Sequence, residues 1–450
     1  MWILRADMKN NLSSHPVIAG TLILSIANIT NRVIGFFYRV YLSRVFGAEG
    51  MGVLQLTGPV STMVFALTGA GMQTAISKCV SAVTGKERKR RRTYLYYGFL
   101  FVLTISLICS FIVYNYSDYI AVHFLSEART APLLQVMAFS FPLSALHACV
   151  NGYFLGKRKT TLPAFGQLVE QITRVAVVYI CCNSFLATGD TPDLAFTAWG
   201  ACLGEAAALI VSLIGLWFGS LKSSDGSKLI HHPANQQKNV LSELLKMSLP
   251  LSANRLSVNF LQSIESIRIP LMLQLYGLSD SAALSTYGIL TGMALPVLFF
   301  PGAFTGSLSA MLLPTVSEAH SRGDKEKIKT ITVNATFFVV FAGLLFGILF
   351  FMFSDFLGNK VFHEPLAAVY IRALCLLCPF MYVNGIFNGI LQGLGKVMQI
   401  FFINVTGLCL RLIFVFFAIP RLGIKGYLIG LLISQLYSSA MYLRECYRMK

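Results

Sequence analysis

Two arginines lie inside an apolar stretch that is long enough to cross a membrane. Arg32 and Arg39 are seven positions apart within residues 16–46, and this spacing places both on the helical face that carries Asn28. A charged side chain near the bilayer centre costs roughly 2.5–3.5 kcal/mol on insertion scales. We therefore expect this face to line a water-filled cavity or to bind an anion.

A second segment, residues 247–274, carries a comparable polar face. Its members fall within about 120° of one another at about 100° per residue, and they are Arg255, Asn259, Gln262 and Glu265. Arg268 follows Glu265 at a spacing that allows an ion pair on one helix. This face is interpreted either as part of a substrate or ion site or as a buried Glu265–Arg268 pair that only stabilises the fold.

Further charges lie in other apolar segments. Glu170 and Arg174 are one helical turn apart, and this spacing predicts an ion pair whose role is either coupling or purely structural. Glu205 is a weaker candidate for a proton site. Arg411 has no acid in its own segment, so we expect it to face the cavity or to pair with another helix.

The intramembrane arginines outnumber the acids. The six arginines are Arg32, Arg39, Arg174, Arg255, Arg268 and Arg411, and the three acids are Glu170, Glu205 and Glu265. This excess predicts a cavity that attracts anions, and planar guanidinium groups match the geometry of phosphate. An exporter of cationic drugs would need the opposite excess, so the sign of the substrate charge separates the two functions.

Composition predicts the elements that position these side chains. Of the 450 residues, 55% are hydrophobic and 12% are charged, and the mean hydropathy is +0.67. Because soluble domains carry about 25% charged residues, we predict an all-α polytopic membrane protein with about 12 transmembrane helices. The predicted spans are residues 16–46, 52–83, 93–115, 131–156, 161–184, 194–219, 247–274, 282–314, 331–354, 367–392, 397–419 and 423–443.

The basic residues predict the orientation of these spans. With cytosolic N- and C-termini, 23 lysines and arginines fall in cytosolic segments and four in external loops. A multi-pass protein of the bacterial plasma membrane is therefore expected, with no cleavable signal and with Met8 as an alternative start. The basic run at residues 86–92 and the net charge of +17 follow from this topology and from contact with membrane lipids, so no nucleic-acid partner is expected.

The chain is predicted to consist of two six-helix lobes. Residues 16–219 form the N-lobe and residues 247–443 the C-lobe, and residues 1–15, 220–246 and 444–450 are cytosolic.

An internal repeat relates the two lobes. Asn151-Gly152, Gly156 and Arg174 recur 237 residues later as Asn388-Gly389, Gly393 and Arg411, Pro59 recurs as Pro296, and Gly200 and Gly204 resemble Gly426 and Gly430. The lobes share one orientation, so the repeat is parallel, and in such transporters the substrate site lies between the repeats.

The sequence gives little support for an enzyme. It contains no GxxxxGK[ST] or HExxH motif and no GxSxG motif with suitable partners, and the external loops are short. We expect a transporter without an ATPase domain, without a metal and without a resident cofactor, coupled to a monovalent cation or a proton. A membrane enzyme of envelope assembly is the third interpretation, and it would need an external catalytic pair.

Several segments resemble one family of exporters. NRVIGFFYRVYLSRVFGAEGMGVLQLTGPV, GAGMQTAISKCVSA and VNGYFLGKRKTTLPAFGQLVEQITRV closely resemble the stage V sporulation protein B and polysaccharide transporter family. This family belongs to the multidrug/oligosaccharidyl-lipid/polysaccharide (MOP) flippase superfamily, which includes the multidrug and toxin extrusion (MATE) exporters and the lipid II flippases. The resemblance implies two six-helix lobes, alternating access and the flipping of an undecaprenyl-pyrophosphate-linked sugar such as a peptidoglycan precursor.

The resemblance also bears on single residues. Arg32 matches the first-helix arginine of the SRVLGFAR-like motif in lipid II flippases, whereas the second arginine of that motif falls on Tyr38, one position before Arg39. The eighth-helix stretch YGILTGMALP lacks the arginine that those flippases carry there. The first departure counts against carrying the second arginine's role over to Arg39, and the second counts against strict lipid II specificity.

These observations predict a flippase for an anionic lipid-linked oligosaccharide. The predicted substrate-binding residues are Arg32, Arg39, Arg255, Arg411, Asn28, Asn259 and Gln262, and the predicted coupling or ion-pair residues are Glu265, Arg268, Glu170 and Arg174. The partners are a polyprenyl-linked sugar and membrane lipids, and the protein is expected to be monomeric. An ion-coupled multidrug exporter of the same fold is the alternative.

Overall fold

The computed structural model describes residues 16–83, 90–221 and 234–447. Helices form the regular structure of these residues, and no strand occurs among them. The predicted N-terminal segment, the beginning of the basic run, residues 222–233 of the predicted linker and the end of the tail lie outside the described residues.

The described residues contain fifteen α-helices of at least five residues, and shorter turns connect them. They are α1 Pro16–Phe65, α2 Gly71–Ala82, α3 Arg90–Asn115, α4 Ala131–Gly156, α5 Thr161–Thr188, α6 Ala195–Leu221, α7 Ala234–Leu275, α8 Asp280–Gly288, α9 Leu295–Phe299, α10 Gly302–Ser321, α11 Lys325–Asp355, α12 Pro365–Leu374, α13 Cys378–Gly393, α14 Val397–Phe417 and α15 Ile424–Tyr447. Four π-helical segments interrupt or extend them, at Ala66–Ala70, Ile120–Phe124, Ile289–Ala294 and Phe356–Phe362.

Helix α1 contains the first predicted span and the beginning of the second. Its backbone leaves helical geometry at Gly47, where φ is 68° and ψ is −174°. A positive φ costs little only for glycine. Gly47 therefore divides α1 into two helical parts, and the π-helical segment Ala66–Ala70 continues the second part into α2.

The helices have the length and composition of membrane spans. Among the described residues, nine helical stretches are long and apolar enough to cross a membrane, and one of them joins the first two predicted spans. The seventh and twelfth predicted spans form α7 and α15, which are long but more polar than the nine. The protein is an all-α polytopic membrane protein, and the orientation of its termini stays a prediction.

Contacts between residues divide the chain into two compact units. The first unit contains residues 16–31 and Thr57–Asn259, and the second contains Arg32–Leu56 and residues 260–447. This division differs from the predicted lobes, because residues 32–56 pack within the second unit and residues 247–259 within the first.

Close helix packing inside each unit follows the predicted repeat. In the first unit, a Cβ atom on Gly156 would lie 2.6 Å from the carbonyl oxygen of Ser77. In the second unit, a Cβ atom on Gly393 would lie 2.8 Å from the carbonyl oxygen of Leu313. Small residues let membrane helices approach this closely, so the two repeats use the same contact between an inner pair of helices.

One part of the predicted repeat is shifted by a helical turn. In the first unit, Gly204 faces the carbonyl oxygen of Glu170 at 2.8 Å, measured from its ideal Cβ position. Gly407 matches Glu170 in the repeat and faces the carbonyl of Ser434 at 3.9 Å. Ser434, rather than the predicted Gly430, therefore lies at the level of Gly204. The sequence match was wrong because glycines four residues apart look identical after a shift of one turn.

Helices α1 and α8 cross in direct backbone contact within the second unit. A Cβ atom on Gly288 would lie 3.0 Å from the Cα atom of Gly52. Nearby, the hydroxyl of Ser281 donates to Glu49 at 2.6 Å.

Candidate functional site

Arg32 lies at a break between two helices of the second unit. Its exposed guanidinium donates from Nη1 to the carbonyl oxygen of Phe299 at 2.8 Å. Phe299 ends α9, and α10 begins only at Gly302, so this carbonyl lies at an interruption of the helix. A guanidinium has five N–H donors, and the exposed remainder of the fork is free to meet an anion.

Arg255 and Asn259 make similar contacts within the first unit. Arg255 donates from Nη1 to the carbonyl oxygen of Ala70 at 3.1 Å, and Asn259 donates from Nδ2 to the carbonyl oxygen of Thr62 at 3.0 Å. Ala70 ends the π-helical segment, where the regular hydrogen bonding of α1 is interrupted. Asn28, the remaining predicted residue of this unit, is exposed.

The contacts of Arg32 and Asn259 match each other in the repeat. Their acceptors, Phe299 and Thr62, are 237 positions apart, which is the spacing of the repeat. If Arg32 matches Asn259, then Asn28 matches Arg255, four residues earlier in each helix. The two helices therefore carry the same pair of residue types in opposite order.

Other predicted residues of the second unit also have open side chains. Arg39 is half-buried, and Gln262 and Arg268 are exposed. The sequence analysis missed Arg44, which donates from Nη2 to the carbonyl oxygen of Val361 at 2.8 Å. Arg44 lies near the end of a predicted span, where a basic residue needs no special partner, so the sequence carried no signal for this contact.

The predicted Glu265–Arg268 pair is wrong. Glu265, a buried residue, accepts from Arg411 Nη2 at 2.5 Å and from the hydroxyl of Tyr427 at 2.8 Å. Arg268 points to an exposed position on α7, whereas α14 and α15 bring Arg411 and Tyr427 to the buried side. Of the two open expectations for Arg411, pairing with another helix is confirmed, and Tyr427 is an unpredicted member of this site.

A four-residue ionic cluster lies within the first unit. The predicted pair between Glu170 and Arg174 is formed. Nδ1 of His147 lies 3.2 Å from Oε2 of Glu205. Ligand-type atoms of His147, Glu170 and Glu205 all lie within 4.8 Å of one another. The sequence analysis named the three charged residues on α5 and α6 and missed His147, because a lone histidine in an apolar helix gives no pattern.

Each carboxylate of this cluster already has a partner from the protein. Glu170 holds the guanidinium of Arg174, and Glu205 holds the imidazole of His147. A metal ion at this position would have to displace both of these donors.

The matching position of the second unit holds neutral groups. Asn384 lies 237 residues after His147, and its Nδ2 donates to Oε1 of Gln435 at 2.6 Å. Gln435 follows Ser434 as Glu205 follows Gly204, so both pairs lie at the same level of their units. The hydroxyl of Ser439 donates to Oδ1 of Asn384 at 2.8 Å and completes this network.

Comparisons with known proteins agree with the geometry. Residues 17–320 match the model of a family described as polysaccharide biosynthesis protein. The chain belongs to this family. Residues 238–417 also match the MatE family model.

Two curated members of this group are similar over most of their length. Stage V sporulation protein B of Bacillus subtilis (strain 168) is 28% identical over 421 residues, which are 92% of this chain and 80% of that protein. Lipid II flippase MurJ of the same organism is 22% identical over 431 residues, 89% of this chain and 77% of that protein.

A solved structure shows the same fold. The outward-facing conformation of a multidrug resistance MATE family transporter of the MOP superfamily has a TM-score of 0.66, 14% identity and 96% coverage of both chains. The family and the fold confirm the predicted membership of the MOP flippase superfamily. The chain is thus a non-enzymatic, multi-pass membrane transporter, consistent with the bacterial plasma membrane.

Proposed function

We propose that this transporter flips an anionic lipid-linked oligosaccharide across the plasma membrane by alternating access. The cargo is an undecaprenyl-pyrophosphate-linked precursor of the cell envelope or of spore-cortex peptidoglycan. The observation that carries the proposal is the pair of exposed arginines on membrane helices, Arg32 and Arg255, each held by one backbone carbonyl.

The distribution of charge supports an anionic cargo. Within the described chain, Arg32, Arg39 and Arg255 have no carboxylate partner, whereas the intramembrane acids Glu170, Glu205 and Glu265 all have basic partners. The charge left over is therefore positive. A pyrophosphate offers negative charge and several acceptors in one group, and it would lower the cost of keeping guanidinium groups at this depth.

Basic and neutral side chains bind different parts of the cargo in this proposal. Arg32, Arg39 and Arg255 contact the pyrophosphate, and the amides of Asn28, Asn259 and Gln262 bind neighbouring phosphate or sugar oxygens. Arg411 serves a different purpose from the one predicted, because it neutralises Glu265. The pair Glu170–Arg174 responds to a proton or a monovalent cation and so biases the inward- and outward-facing forms, whereas the pair Glu265–Arg411 joins helices α7 and α14.

The names of the relatives support the same class of cargo. MurJ is described as a lipid II flippase, and lipid II is a lipid-linked precursor. The fit to the MatE model keeps an ion-coupled multidrug exporter as the second candidate function. That function predicts efflux of a cationic dye, which the positive excess of the open side chains opposes.

Substitution of Arg32 by asparagine tests the proposal. Asn259 caps the matching carbonyl in the first unit, so Arg32→Asn keeps an amide donor for Phe299 while it removes the charge. In proteoliposomes with a fluorescent polyprenyl-pyrophosphate sugar, we expect a loss of roughly 10- to 100-fold in flipping rate, equivalent to one or two charge-assisted hydrogen bonds.

The matched control is Arg322→Asn. Arg322 is an exposed arginine at the end of α10 that pairs with Glu318, and its loss is expected to leave flipping within about twofold of wild type. Wild-type flipping in the Arg32→Asn variant would remove this arginine from the binding site. Efflux of a cationic dye without any flipping would favour the multidrug exporter.

A further inference from the structure

We infer that the His147–Glu205 pair is a proton-binding site confined to the first unit, and that its proton drives the conformational cycle. The coupling of this proton to the conformational cycle rests on the proposed transport function, whereas proton binding rests on the geometry of the pair. Its matching pair in the second unit, Asn384 and Gln435, has no ionisable group.

The imidazole of His147 is held at both ring nitrogens inside the unit. The residue is 5% exposed, and Nδ1 lies 3.2 Å from Oε2 of Glu205. Nε2 lies 3.0 Å from Nδ2 of Asn151, one turn later on the same helix. Histidine is the side chain that most readily changes charge near neutral pH, and here a carboxylate oxygen lies within hydrogen-bond distance of its ring.

The charged neighbours of His147 come from two helices. Helix α5 supplies Glu170 and Arg174, and α6 supplies Glu205 together with the thiol of Cys202 beside it. The π-helical segment Ala66–Ala70, which also packs on α4, contains no titratable side chain. Helices α2 and α3 pack on α4 through an apolar cluster that includes Met72, Ile76 and Val102.

The formal charges of the cluster leave room for one proton. With a neutral imidazole, Glu170, Glu205 and Arg174 sum to a charge of minus one. With a protonated imidazole the sum is zero. A net charge at a partly buried site is costly unless it is compensated, so the form in this structure, in which Glu170 and Glu205 are each 19% exposed, favours the added proton. Loss of the proton favours a conformation in which water reaches the cluster.

Unpartnered polar atoms beside the imidazole fit the same conclusion. Oδ1 of Asn151 is buried without a hydrogen-bond partner, and the residue is 8% exposed. Rotation of this amide by half a turn would exchange its nitrogen and oxygen, so that Oδ1 accepts from a protonated Nε2. Oγ of Ser212 is also buried and unpartnered, and it lies 3.6 Å from the ideal Cβ position of Gly166, which in turn is 3.4 Å from Nε2 of His147.

The second unit provides an internal control for this interpretation. Its helices repeat the same contact with two amides, Asn384 and Gln435, which keep their hydrogen bond at 2.6 Å whatever the pH. The helix contact therefore does not require ionisable groups. Amides in both units would be enough for a purely structural contact. The imidazole and carboxylate of the first unit therefore point to proton binding in addition to packing.

A transplant of the second unit's residues into the first tests the inference. The variant His147→Asn/Glu205→Gln copies the amide pair and keeps its size and hydrogen bonding. In proteoliposomes, we expect the wild-type flipping rate to change by roughly three- to tenfold per pH unit near neutrality, because one proton permits at most about tenfold. In the double variant we expect a change below about twofold per unit.

The protonation state of His147 is measured separately from transport. Nitrogen-15 NMR of histidine-labelled protein in nanodiscs reports the imidazole charge, and among the histidines that the structure describes His147 is the buried one. We expect its signals to change from those of a neutral to those of a charged imidazole within the pH range over which the flipping rate changes. We also expect the titration to move in Glu205→Gln.

The two readouts separate the possible failures. Flipping with an unchanged pH profile in the double variant, or an imidazole that keeps one charge over the whole range, overturns the inference. Absence of flipping in wild type overturns the proposed function, and the titration of His147 then decides the proton site alone. If the double variant fails to fold, Glu205→Gln is measured against His123→Asn, an exposed histidine whose loss should leave the pH profile unchanged.

Discussion

The two units neutralise the same arginine of the repeat in different ways. In the first unit, Arg174 pairs with Glu170, four residues earlier on its own helix. In the second unit, the matching Arg411 has Gly407 at that earlier position and instead pairs with Glu265 from another helix. The requirement for an acid beside this arginine is thus shared, whereas the helix that supplies the acid is not.

The two units also differ in how much charge surrounds the pair. Arg174 lies in a cluster with a second acid, Glu205, and with His147. Arg411 and Glu265 have a tyrosine hydroxyl, from Tyr427, as their further neighbour. The first arrangement has an ionisable imidazole beside its two acids, while the second is closed by a hydrogen bond from a hydroxyl. The charge of the first cluster is thus open to change, whereas the second unit, the rigid unit, holds its ion pair with fixed hydrogen bonds.

The largest expected effect comes from loss of one acid in the rigid unit. Glu265→Gln leaves the mostly buried charge of Arg411 without a carboxylate, and such a loss costs roughly 3–5 kcal/mol. Glu170→Gln should cost about 1–2 kcal/mol, the range of one lost hydrogen bond, since Glu205 remains near Arg174. Both costs are read from denaturant unfolding in detergent. Equal losses in the two variants would contradict the difference between the units.

A smaller effect is expected where a glycine lies closer to a neighbouring backbone in one unit than in the other. Gly152→Ala places a Cβ against the carbonyl of Gln73, which cannot move away, and overpacking of this kind costs roughly 1–3 kcal/mol.

Gly389→Ala meets the hydroxyl of Ser309 first, and that group can rotate. The carbonyl oxygen of Ser309 lies farther away, at 2.8 Å compared with 2.4 Å for Gln73, so the loss should be smaller. Gly58→Ala has open space around the added carbon and serves as the control. Thermal unfolding of the three variants orders them, and a larger loss for Gly389→Ala than for Gly152→Ala would contradict the proposed packing.

The smallest expected effect isolates the hydroxyl that closes the rigid pair. Tyr427→Phe removes the donor to Oε1 of Glu265 and keeps the ring, so we expect a loss of about 1 kcal/mol, as for one hydrogen bond. Unfolding measurements of Tyr427→Phe in wild type and in Glu265→Gln give the coupling between the two groups. A loss that is the same in both backgrounds would show that the hydroxyl acts elsewhere.

Local spacing explains what was predictable from the sequence. The excess of intramembrane arginines and the Glu170–Arg174 pair follow from composition and from one helical turn, and both are found. The Glu265–Arg411 pair joins residues 146 positions apart, so only helix packing brings it together. The rotation of α7 decides that Arg411 rather than Arg268 reaches the acid, and no pattern within one helix contains that information.

The repeat was predictable to different degrees along its length. Asn-Gly pairs and their spacing identified the inner helices, because few other positions share that combination. The GxxxG spacing of α6 and α15 has a period of one turn, so its alignment was ambiguous by that amount. Only the pairing of Gln435 with Asn384 decided the register, and His147 became recognisable through its neutral counterpart.

The crossing of α1 and α8 has a consequence for motion within the second unit. Gly52 and Gly288 touch through main-chain atoms, with no interlocking side chains between them at that point. When the two helices separate, the glycine crossing loses only weak dispersion and Cα–H···O contacts, and the nearby hydrogen bond from Ser281 to Glu49 breaks as well. A crossing formed by backbone atoms therefore lets the two helices separate and pack again in the same arrangement.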